Sequence, residues 1–189
     1  MSLHHSQPGT MIPPQFSPPQ QGEVINNAGT NYYLGEPIGE GYFGKVYACS
    51  DDWMNDLVAK VMVPKNQTYE QVRNLWTREL TNLVNLRHPN ITYVYDAFEY
   101  RHTFHLIIER CADNLFTLIQ WPDIDGNLWL PYLARDILQA IDYIHRSGYV
   151  HKDIHAGNVF SQWVRDRMVP KKPPVLIFKV GDLGISRLE

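Results

Sequence analysis

The sequence has few of the features that mark secreted, metal-rich or membrane-spanning proteins. Its 189 residues include only 2 cysteines, Cys49 and Cys111, which lie far apart and form no disulfide framework or metal-binding pattern. Such sparse cysteine fits a reducing intracellular compartment. No apolar run approaches the ~20 residues needed to cross a bilayer, and the N-terminus has no basic-then-apolar signal peptide. We therefore expect a cytoplasmic protein, with the nucleus as the alternative, and no membrane partner.

An excess of charge of one sign is also missing. The chain has 17 Lys and Arg against 20 Asp and Glu, which gives a net charge of −3 at pH 7. A protein that binds the phosphate backbone of nucleic acid usually carries a strong positive balance, so we expect no nucleic-acid partner. Hydrophobic residues make up 44% of the chain, which is enough for the packed core of one domain.

Large apolar residues are scarce in the first 30 positions, where Met1–Gln21 contains five prolines among Gln and Ser. Burial there cannot offset the entropy lost on ordering the chain, so the composition predicts a disordered Pro/Gln-rich tail at residues 1–30. Within this tail, Ser17-Pro18 is a candidate phosphorylation site.

From residue 31 the spacing of apolar residues changes to that of folded elements. Residues 67–86 predict a helix, because apolar side chains recur at helical spacing after a capping-box pair, Thr68 and Gln71. Alternating β-branched and aromatic residues between turn signals predict five strands around it. These strands are Tyr32–Ile38, Lys45–Cys49, Leu57–Val63, Ile91–Phe98 and Thr103–Glu109.

The second half of the chain is predicted to be largely helical. Leu130–Ser147 has apolar residues on one face, with Pro131 in its first turn. A shorter helix is predicted at Asn114–Trp121 and a late strand at Val175–Val180. The insert before that strand, Ser161–Pro174, is rich in Arg, Lys and Pro, and we interpret it as a solvated loop.

Gly39, Gly41 and Gly44 form a glycine-rich pattern whose backbone N–H groups can approach phosphate oxygens without side-chain obstruction. A dinucleotide-binding fold would place this pattern between a strand and a helix. Here a strand follows at Lys45–Cys49, so the pattern predicts the tip of a hairpin. An ordinary glycine-rich hairpin is the alternative.

Lys60 lies inside an apolar strand, where a buried amine needs an anionic partner. Glu79 shares the apolar stripe of the 67–86 helix, since it lies four residues after Leu75 and four before Leu83. One buried cation and one buried anion in neighbouring elements predict an ion pair between Lys60 and Glu79. A lysine on an edge strand that faces water is the alternative.

Three further segments complete a known order of motifs. They are Val58-Ala59-Lys60, His151-Lys152-Asp153-Ile154-His155-Ala156-Gly157-Asn158 and Asp182-Leu183-Gly184. Behind the glycine-rich hairpin, this order resembles the eukaryotic-type protein kinase family, of the serine/threonine kind, over residues 32–189. The resemblance implies an α+β, two-lobe fold. A complete N-lobe with a five-stranded antiparallel sheet and one helix would occupy residues 31–110, and the first part of a helical C-lobe residues 111–189.

The resemblance also implies transfer of the γ-phosphoryl group of Mg·ATP to a Ser or Thr hydroxyl of a protein substrate. The catalytic residues would be Asp153 as the base, Lys60 and Glu79 as the ion pair on the ATP phosphates, and His155 near the γ-phosphate. Asn158 and Asp182 would bind magnesium. The ATP contacts would be Ile38, Gly39, Gly41, Gly44, Val46, Ala59, Lys60, the backbone of Glu109 and Cys111, and Asn114, with Ile108 as the gatekeeper.

Four departures from the family pattern matter. Lys152 replaces the usual arginine and lacks its bidentate fork. His155 stands where a lysine is usual, so activity is expected to fall above about pH 7 if this histidine supplies a charge. Leu183 replaces a phenylalanine. The chain ends at Glu189, so we expect a truncated kinase domain whose 130–147 helix has an exposed apolar face for a partner.

Three alternatives stay open. Asp153–Asn158 also resembles the loop of aminoglycoside and choline-type phosphotransferases. His151 and His155 could bind zinc, although no third ligand presents itself. The chain could also be a non-catalytic ATP-binding fragment that docks on a partner.

Overall fold

A computed structural model of the protein describes residues 16–41, 44–63, 66–122, 125–165, 168, 171, 173–185 and 187–188. A six-stranded sheet forms the first half, in the order β1-β2-β3-β4-β6-β5 with every neighbouring pair antiparallel. Its strands are β1 (Val24–Asn27), β2 (Thr30–Gly41), β3 (Gly44–Asp51), β4 (Asp56–Met62), β5 (Val94–Tyr100) and β6 (Thr103–Glu109).

The sixth strand corrects two predictions, the five-stranded sheet and the disorder of residues 24–30. β1 pairs with β2 through a tight turn at Ala28 and Gly29, both at positive φ (48° and 92°). Ile25 is 1% exposed and packs into the core of the sheet. One well-placed apolar side chain and an adjacent partner strand are enough to order a polar stretch that composition alone marks as disordered. Residues 1–15 of the predicted tail lie outside the described residues.

Helix α1 (Tyr69–Asn85) has the predicted capping box. The Gln71 N–H donates to Thr68 Oγ1 at 3.3 Å, and the Thr68 N–H donates to Gln71 Oε1 at 2.8 Å. The buried side of the helix carries Val72 and Leu83 together with the polar Glu79 and Asn82. A helix that buries two polar side chains among apolar ones must bring them to partners.

Among its described residues, the second half contains two more α-helices and five short strands. They are β7 (Asp113–Asn114), α2 (Leu115–Leu118), α3 (Gly126–Arg146), β8 (Tyr149–Val150), β9 (Val159–Val164), β10 (Val175–Val180) and β11 (Arg187–Leu188). A three-stranded sheet has the order β10-β9-β7, and β11 pairs with β8. α3 packs its apolar side chains Leu133, Ile137, Ile141 and Ile144 into the core, as predicted.

Three predictions for this half are wrong in part. α3 begins at Gly126 with Asp125 as its N-cap, so Pro131 lies inside the helix and not in its first turn. α2 is a single turn, Leu115–Leu118, which is shorter than the predicted helix Asn114–Trp121, and Asn114 is its N-cap. The first residues of the expected loop, Ser161–Val164, are strand, because they pair with β10.

The predicted exposed apolar side chains on α3 are present, since Leu130 and Leu138 are 55% and 67% exposed. The partner that would cover them stays a prediction. None of the helices within the described residues is long and apolar enough to cross a membrane.

Candidate active site

Lys60 is held between two carboxylates. Its Nζ donates to Glu79 Oε1 at 2.7 Å and to Asp182 Oδ1 at 3.2 Å. The Lys60 side chain is 15% exposed and that of Glu79 3% exposed, so the predicted ion pair is present and buried. Burial disfavours the charge on Lys60, but Glu79 and Asp182 outweigh it and raise its pKa above the ordinary lysine value. The amine is therefore a fixed positive charge at neutral pH.

α1 also holds the segment that carries Asp182. Asn82 Nδ2 donates to the Leu183 carbonyl at 2.7 Å, and Arg78 Nε donates to the Gly184 carbonyl at 3.0 Å. Leu183 is fully buried in the core shared by α1 and α3. Asp182 itself has a left-handed backbone, with φ at 57°. A non-glycine residue keeps this costly conformation only where its surroundings enforce it.

His151 links the loop after β8 to the same segment. Its Nε2 lies 3.0 Å from the Gly181 carbonyl, and its Nδ1 accepts the Asp153 N–H at 3.2 Å. Burial lowers the pKa of His151, which keeps the ring neutral so that it can accept at Nδ1 and donate at Nε2. Both ring nitrogens are thus used, which argues against zinc. No cluster of three or more His, Cys, Asp or Glu side chains suited to a metal occurs in the described part of the chain.

Asp153 and Asn158 contact each other across the loop. Asn158 Nδ2 donates to the Asp153 carbonyl at 3.0 Å and to Asp153 Oδ2 at 3.1 Å. These bonds use the side-chain amide nitrogen of Asn158 and leave its side-chain oxygen, Oδ1, for a cation. Asn158 and Asp182 therefore fit magnesium, a hard ion that takes one or two protein oxygens together with phosphate oxygens. The backbone also brings the two residues close together, since the N–H of Gly181, the residue before Asp182, donates to the backbone carbonyl of Asn158 at 2.9 Å.

His155 lies beside the catalytic candidate Asp153, with Nε2 3.7 Å from Asp153 Oδ2. Its Nδ1 accepts the Gly157 N–H at 3.1 Å. A Cβ at residue 157 would approach the His155 ring to 2.9 Å, so glycine at this position lets the ring fold back on the loop. The His155 side chain is 56% exposed, so a charge on it would be screened by water.

The glycine-rich hairpin joins β2 and β3, as predicted, and its tip residues 42–43 lie outside the described residues. Gly44 has φ at 143°, and a Cβ there would collide with the Val61 carbonyl oxygen. Gly39 and Gly41 face more open space, since only the Val46 Cβ comes within 4 Å of a Cβ built at Gly39. Glycine is thus required by packing at Gly44, while at Gly39 and Gly41 it keeps the backbone accessible.

The wall of the cleft next to Lys60 corrects one site prediction. Side chains alternate along β4, so Val58 shares the face of Lys60 and lies opposite Ala48 and Ile108. Ala59 points to the other face, is 0% exposed and belongs to the core of the sheet. Ala59 is therefore not a cleft residue and Val58 takes its place.

Two other predicted ATP contacts, Val46 and Ile38, belong to β3 and β2. Val46 pairs with Lys60 in register and is half-buried on the same face. Ile38 is an extra residue between the Pro37–Tyr47 and Gly39–Val46 pairs, a bulge that leaves its side chain 44% exposed.

The predicted hinge follows β6. Arg110 and Ala112 donate their N–H groups to the carbonyls of Asp56 (3.3 Å) and Ser161 (2.9 Å), whereas the Cys111 N–H makes no such bond within the described part of the chain. Burial raises the pKa of the Cys111 thiol to about 12, so this cysteine is an unreactive small hydrophobe. Asn114 uses its side-chain oxygen to cap α2, at 2.9 Å from the Thr117 nitrogen, which leaves only its amide nitrogen for a ribose.

The side chain of Glu109 has a role that sequence reasoning missed. Lys179 Nζ donates to both of its oxygens, at 2.7 and 2.9 Å, and the Tyr93 N–H donates to Oε1 at 2.7 Å. This pair joins the C-terminal end of β6, in the large sheet, to β10, just before Asp182. A lysine in the apolar strand Val175–Val180 was the available signal, by the same argument that found Lys60.

A lysine–glutamate pair between a sheet and a single helix, facing a loop with Asp153 and Asn158, defines a kinase-like fold. Comparison with known proteins agrees. The family model described as the protein kinase domain matches residues 32–189. The chain therefore belongs to the protein kinase domain family.

Several serine/threonine kinases are similar to this chain in sequence. It is 26% identical to the cell cycle serine/threonine-protein kinase CDC5/MSD2 of Saccharomyces cerevisiae over 164 residues, which is 86% of this chain and 22% of that protein. Serine/threonine-protein kinase 36 of Pongo abelii is 30% identical over 132 residues, covering 68% of this chain and 10% of that protein. Cyclin-dependent kinase-like 4 of Mus musculus is 24% identical over 80% of this chain and 41% of that protein. The chain thus spans less than half the length of each of these relatives.

Proposed function

We propose that the protein is an ATP-dependent protein kinase that transfers the γ-phosphoryl group of Mg·ATP to a Ser or Thr hydroxyl. The observation that carries this proposal is the Lys60 amine, held at 2.7 Å from Glu79 and 3.2 Å from Asp182. A buried amine braced in this way is a fixed charge suited to phosphate oxygens. The serine/threonine direction is supported by the names of the relatives.

Each group at the site has a defined task in this reaction. The hydroxyl oxygen of the substrate forms a bond to the γ-phosphorus while the bond from that phosphorus to the β–γ bridging oxygen breaks, and ADP leaves. Asp153 orients the hydroxyl and accepts its proton. Lys60 holds the phosphates, and the open backbone of the glycine-rich hairpin covers them. Magnesium, when bound by Asn158 and Asp182, neutralises the charge on the phosphate oxygens.

Geometry carries most of the catalysis in such a site, since phosphoryl transfer needs positioning and charge neutralisation more than covalent chemistry. His151 fixes both the backbone of Asp153 and the carbonyl before Asp182. The two parts of the site therefore share one rigid support. His155 is placed to add a positive charge near the transferred group only when it is protonated.

The test is transfer of radiolabelled phosphate from Mg·ATP by the purified chain to a generic protein acceptor, with kanamycin and choline offered in parallel. We expect protein labelling that Asp153→Asn lowers by about 100- to 10,000-fold. Lys60→Met should abolish it, while Lys171→Met, a change at an exposed lysine, should not. Labelling of kanamycin or choline alone would support a small-molecule phosphotransferase. A rise in melting temperature with Mg·ATP but no transfer to any acceptor would support a non-catalytic nucleotide-binding domain.

A further inference from the structure

Residues 16–23, which we call the N-terminal strap, lead from the β5–β6 turn past β3 to the start of β1. The Ser17 N–H donates to the Arg101 carbonyl at 3.2 Å, in the turn between β5 and β6. The Tyr47 hydroxyl donates to the Pro19 carbonyl at 3.2 Å. Glu23 pairs with the Arg101 guanidinium at 3.0 Å. The strap therefore joins β3 to the β5–β6 turn, two parts of the sheet that are not neighbours in it.

Phe16 extends this connection to helix α1. Its ring lies 6.2 Å from that of Tyr69, the first residue of the helix. Tyr69 in turn lies 5.2 Å from Phe104 of β6, and Phe104 lies 5.3 Å from Trp76 of the helix. These four rings form a continuous row between the strap, the sheet and α1. Trp76 is one turn before Glu79, so the row ends next to the residue that pairs with Lys60.

Other contacts of Tyr69 make the first turn of α1 dependent on this corner. Its hydroxyl donates to Glu99 Oε2 at 2.9 Å, and its ring meets His102 edge-on at 6.1 Å. The described contacts of Tyr69 are thus to the β5–β6 hairpin and to the strap, while Val72, further along the same end of the helix, packs with Met62 of β4. The region of β4 that precedes the helix leads to residues 64–65, which lie outside the described residues.

A cavity of about 480 Å³ lies between residues 18–21 and the sheet, and its lining on the sheet side includes Tyr47, Val61 and Val63. Pro19 itself is buried. Gly22 and Glu23 are held to Leu34 of β2 by two backbone hydrogen bonds, at 2.8 and 3.0 Å. Because segments with few buried contacts open locally at low free-energy cost, residues 16–21 are the part of the strap that can open while β1 stays paired.

We propose that the N-terminal strap is a positioning segment for α1, with Phe16 as its anchor. With the strap docked, the first turn of α1 stays on the β5–β6 hairpin and Glu79 stays within reach of Lys60. With the strap released, α1 loosens and the ion pair weakens. The consequence for ATP rests on the proposed function, but the effect on α1 does not.

Hydrogen exchange of the purified chain without nucleotide tests this directly. We expect Phe16→Ala to speed exchange of the α1 amides from Val72 to Leu83 by about 2- to 10-fold, the range that the loss of one aromatic pair gives. Trp53→Ala is the matched control, because Trp53 is 71% exposed on the β3–β4 turn and lies outside the row of rings. Phe16→Ala should also weaken Mg·ATP binding by a similar factor, and Trp53→Ala should not.

A double-mutant cycle tests whether Phe16 acts through Tyr69. If it does, Phe16→Ala combined with Tyr69→Ala speeds α1 exchange by less than the product of the two single effects. Ser17→Pro removes the hydrogen bond to the Arg101 carbonyl and restricts the backbone of Phe16, so it also loosens the anchor and serves if Phe16→Ala does not fold. Exchange of α1 that matches the wild type in both strap variants would overturn the proposal, as would independent effects of Phe16 and Tyr69. Failure of the proposed function would show separately, as a wild-type chain that neither binds Mg·ATP nor transfers phosphate.

Discussion

At the scale of single residues, the proposed function makes the Lys60–Glu79 pair decisive for how well the ATP phosphates are held. Glu79→Gln keeps the shape of the side chain but removes its charge, so Lys60 loses one of its two described carboxylate partners and keeps Asp182, at 3.2 Å. A hydrogen bond between charged groups contributes about 1.5–3 kcal/mol, so we expect kcat/KM for ATP to fall about 10- to 100-fold. Glu70→Gln, at a carboxylate that is 67% exposed on the same helix, is the control and should change it less than about twofold.

His105 makes the stability of the protein depend on pH. It is fully buried beside Phe98, with ring centroids 5.0 Å apart, and burial lowers its pKa to about 4. The unfolded chain binds a proton near pH 6.5 and the folded chain only near pH 4. Folding is therefore opposed as the pH falls through this window, and stability rises with pH across it.

The measurement is the free energy of unfolding by urea at pH 4 and pH 7 for the wild type and His105→Leu. The wild type should lose about 3 kcal/mol more than the variant at the lower pH, since each unit of pKa shift is worth about 1.4 kcal/mol. His102→Leu, at a histidine that is 53% exposed, should behave like the wild type. Equal losses in the wild type and His105→Leu would contradict the assignment.

Contacts of single residues were predictable from the sequence where a buried charged side chain had only one kind of partner available. A lysine and a glutamate that both point into apolar surroundings must find each other, which predicts the Lys60–Glu79 pair without any structure. It failed for Ala59, because a motif read along the chain does not say which of two adjacent residues faces the cleft. Counting by two from Lys60 would have selected Val58, since side chains alternate along a strand.

At the scale of elements, α3 contains a destabilising proline in its interior. Pro131 lies inside the helix, where it has no N–H to donate and its ring opposes the preceding turn. The position is exposed, so a replacement disturbs no core packing. We expect Pro131→Ala to stabilise the protein by about 1–2 kcal/mol, the helical gain less the entropy that proline removes from the unfolded chain.

Chemical denaturation of the two proteins checks this prediction. Pro173→Ala is the matched control, because Pro173 lies outside the helices and strands, and it should leave stability unchanged or slightly lower. A loss of stability with Pro131→Ala would mean that the proline fits the local backbone better than a regular helix does.

Boundaries of elements were predictable only where a cap was visible in the sequence. The Thr68 and Gln71 pair marked the start of α1 correctly, since its hydrogen bonds are local. The start of α3 was missed because Pro131 suggested a first turn near Leu130, whereas the helix begins earlier, with Asp125 as its N-cap. β9 was missed because Ser161–Val164 were assigned to the basic, proline-rich loop that follows them. Those four residues become a strand only by pairing with β10, which the sequence does not reveal.

At the scale of the whole molecule, the pair between Glu109 and Lys179 connects the large sheet to the strand that leads to Asp182. Both side chains are nearly buried, at 12% and 10% exposed, and lie 2.7 Å apart at their closest atoms. Lys179→Met would leave the Glu109 carboxylate with the Tyr93 N–H as its remaining partner. Removing one partner of a buried pair costs about 3–5 kcal/mol, and this remaining bond and the slight exposure reduce the expected loss to about 2–3 kcal/mol.

The lost stability should come mainly from a weaker contact between the two halves of the chain, since β6 and β10 belong to different sheets. We therefore expect Lys179→Met to lower the melting temperature and to speed hydrogen exchange in β10 more than in β3. Glu109→Gln combined with Lys179→Met removes both charges, so it should recover part of the stability that the single change loses, because no buried charge is left unpaired. A double variant less stable than Lys179→Met alone would contradict this account, because the Glu109 carboxylate would then stabilise the fold even without Lys179. Equal exchange in β3 and β10 would show that the pair does not join the two sheets.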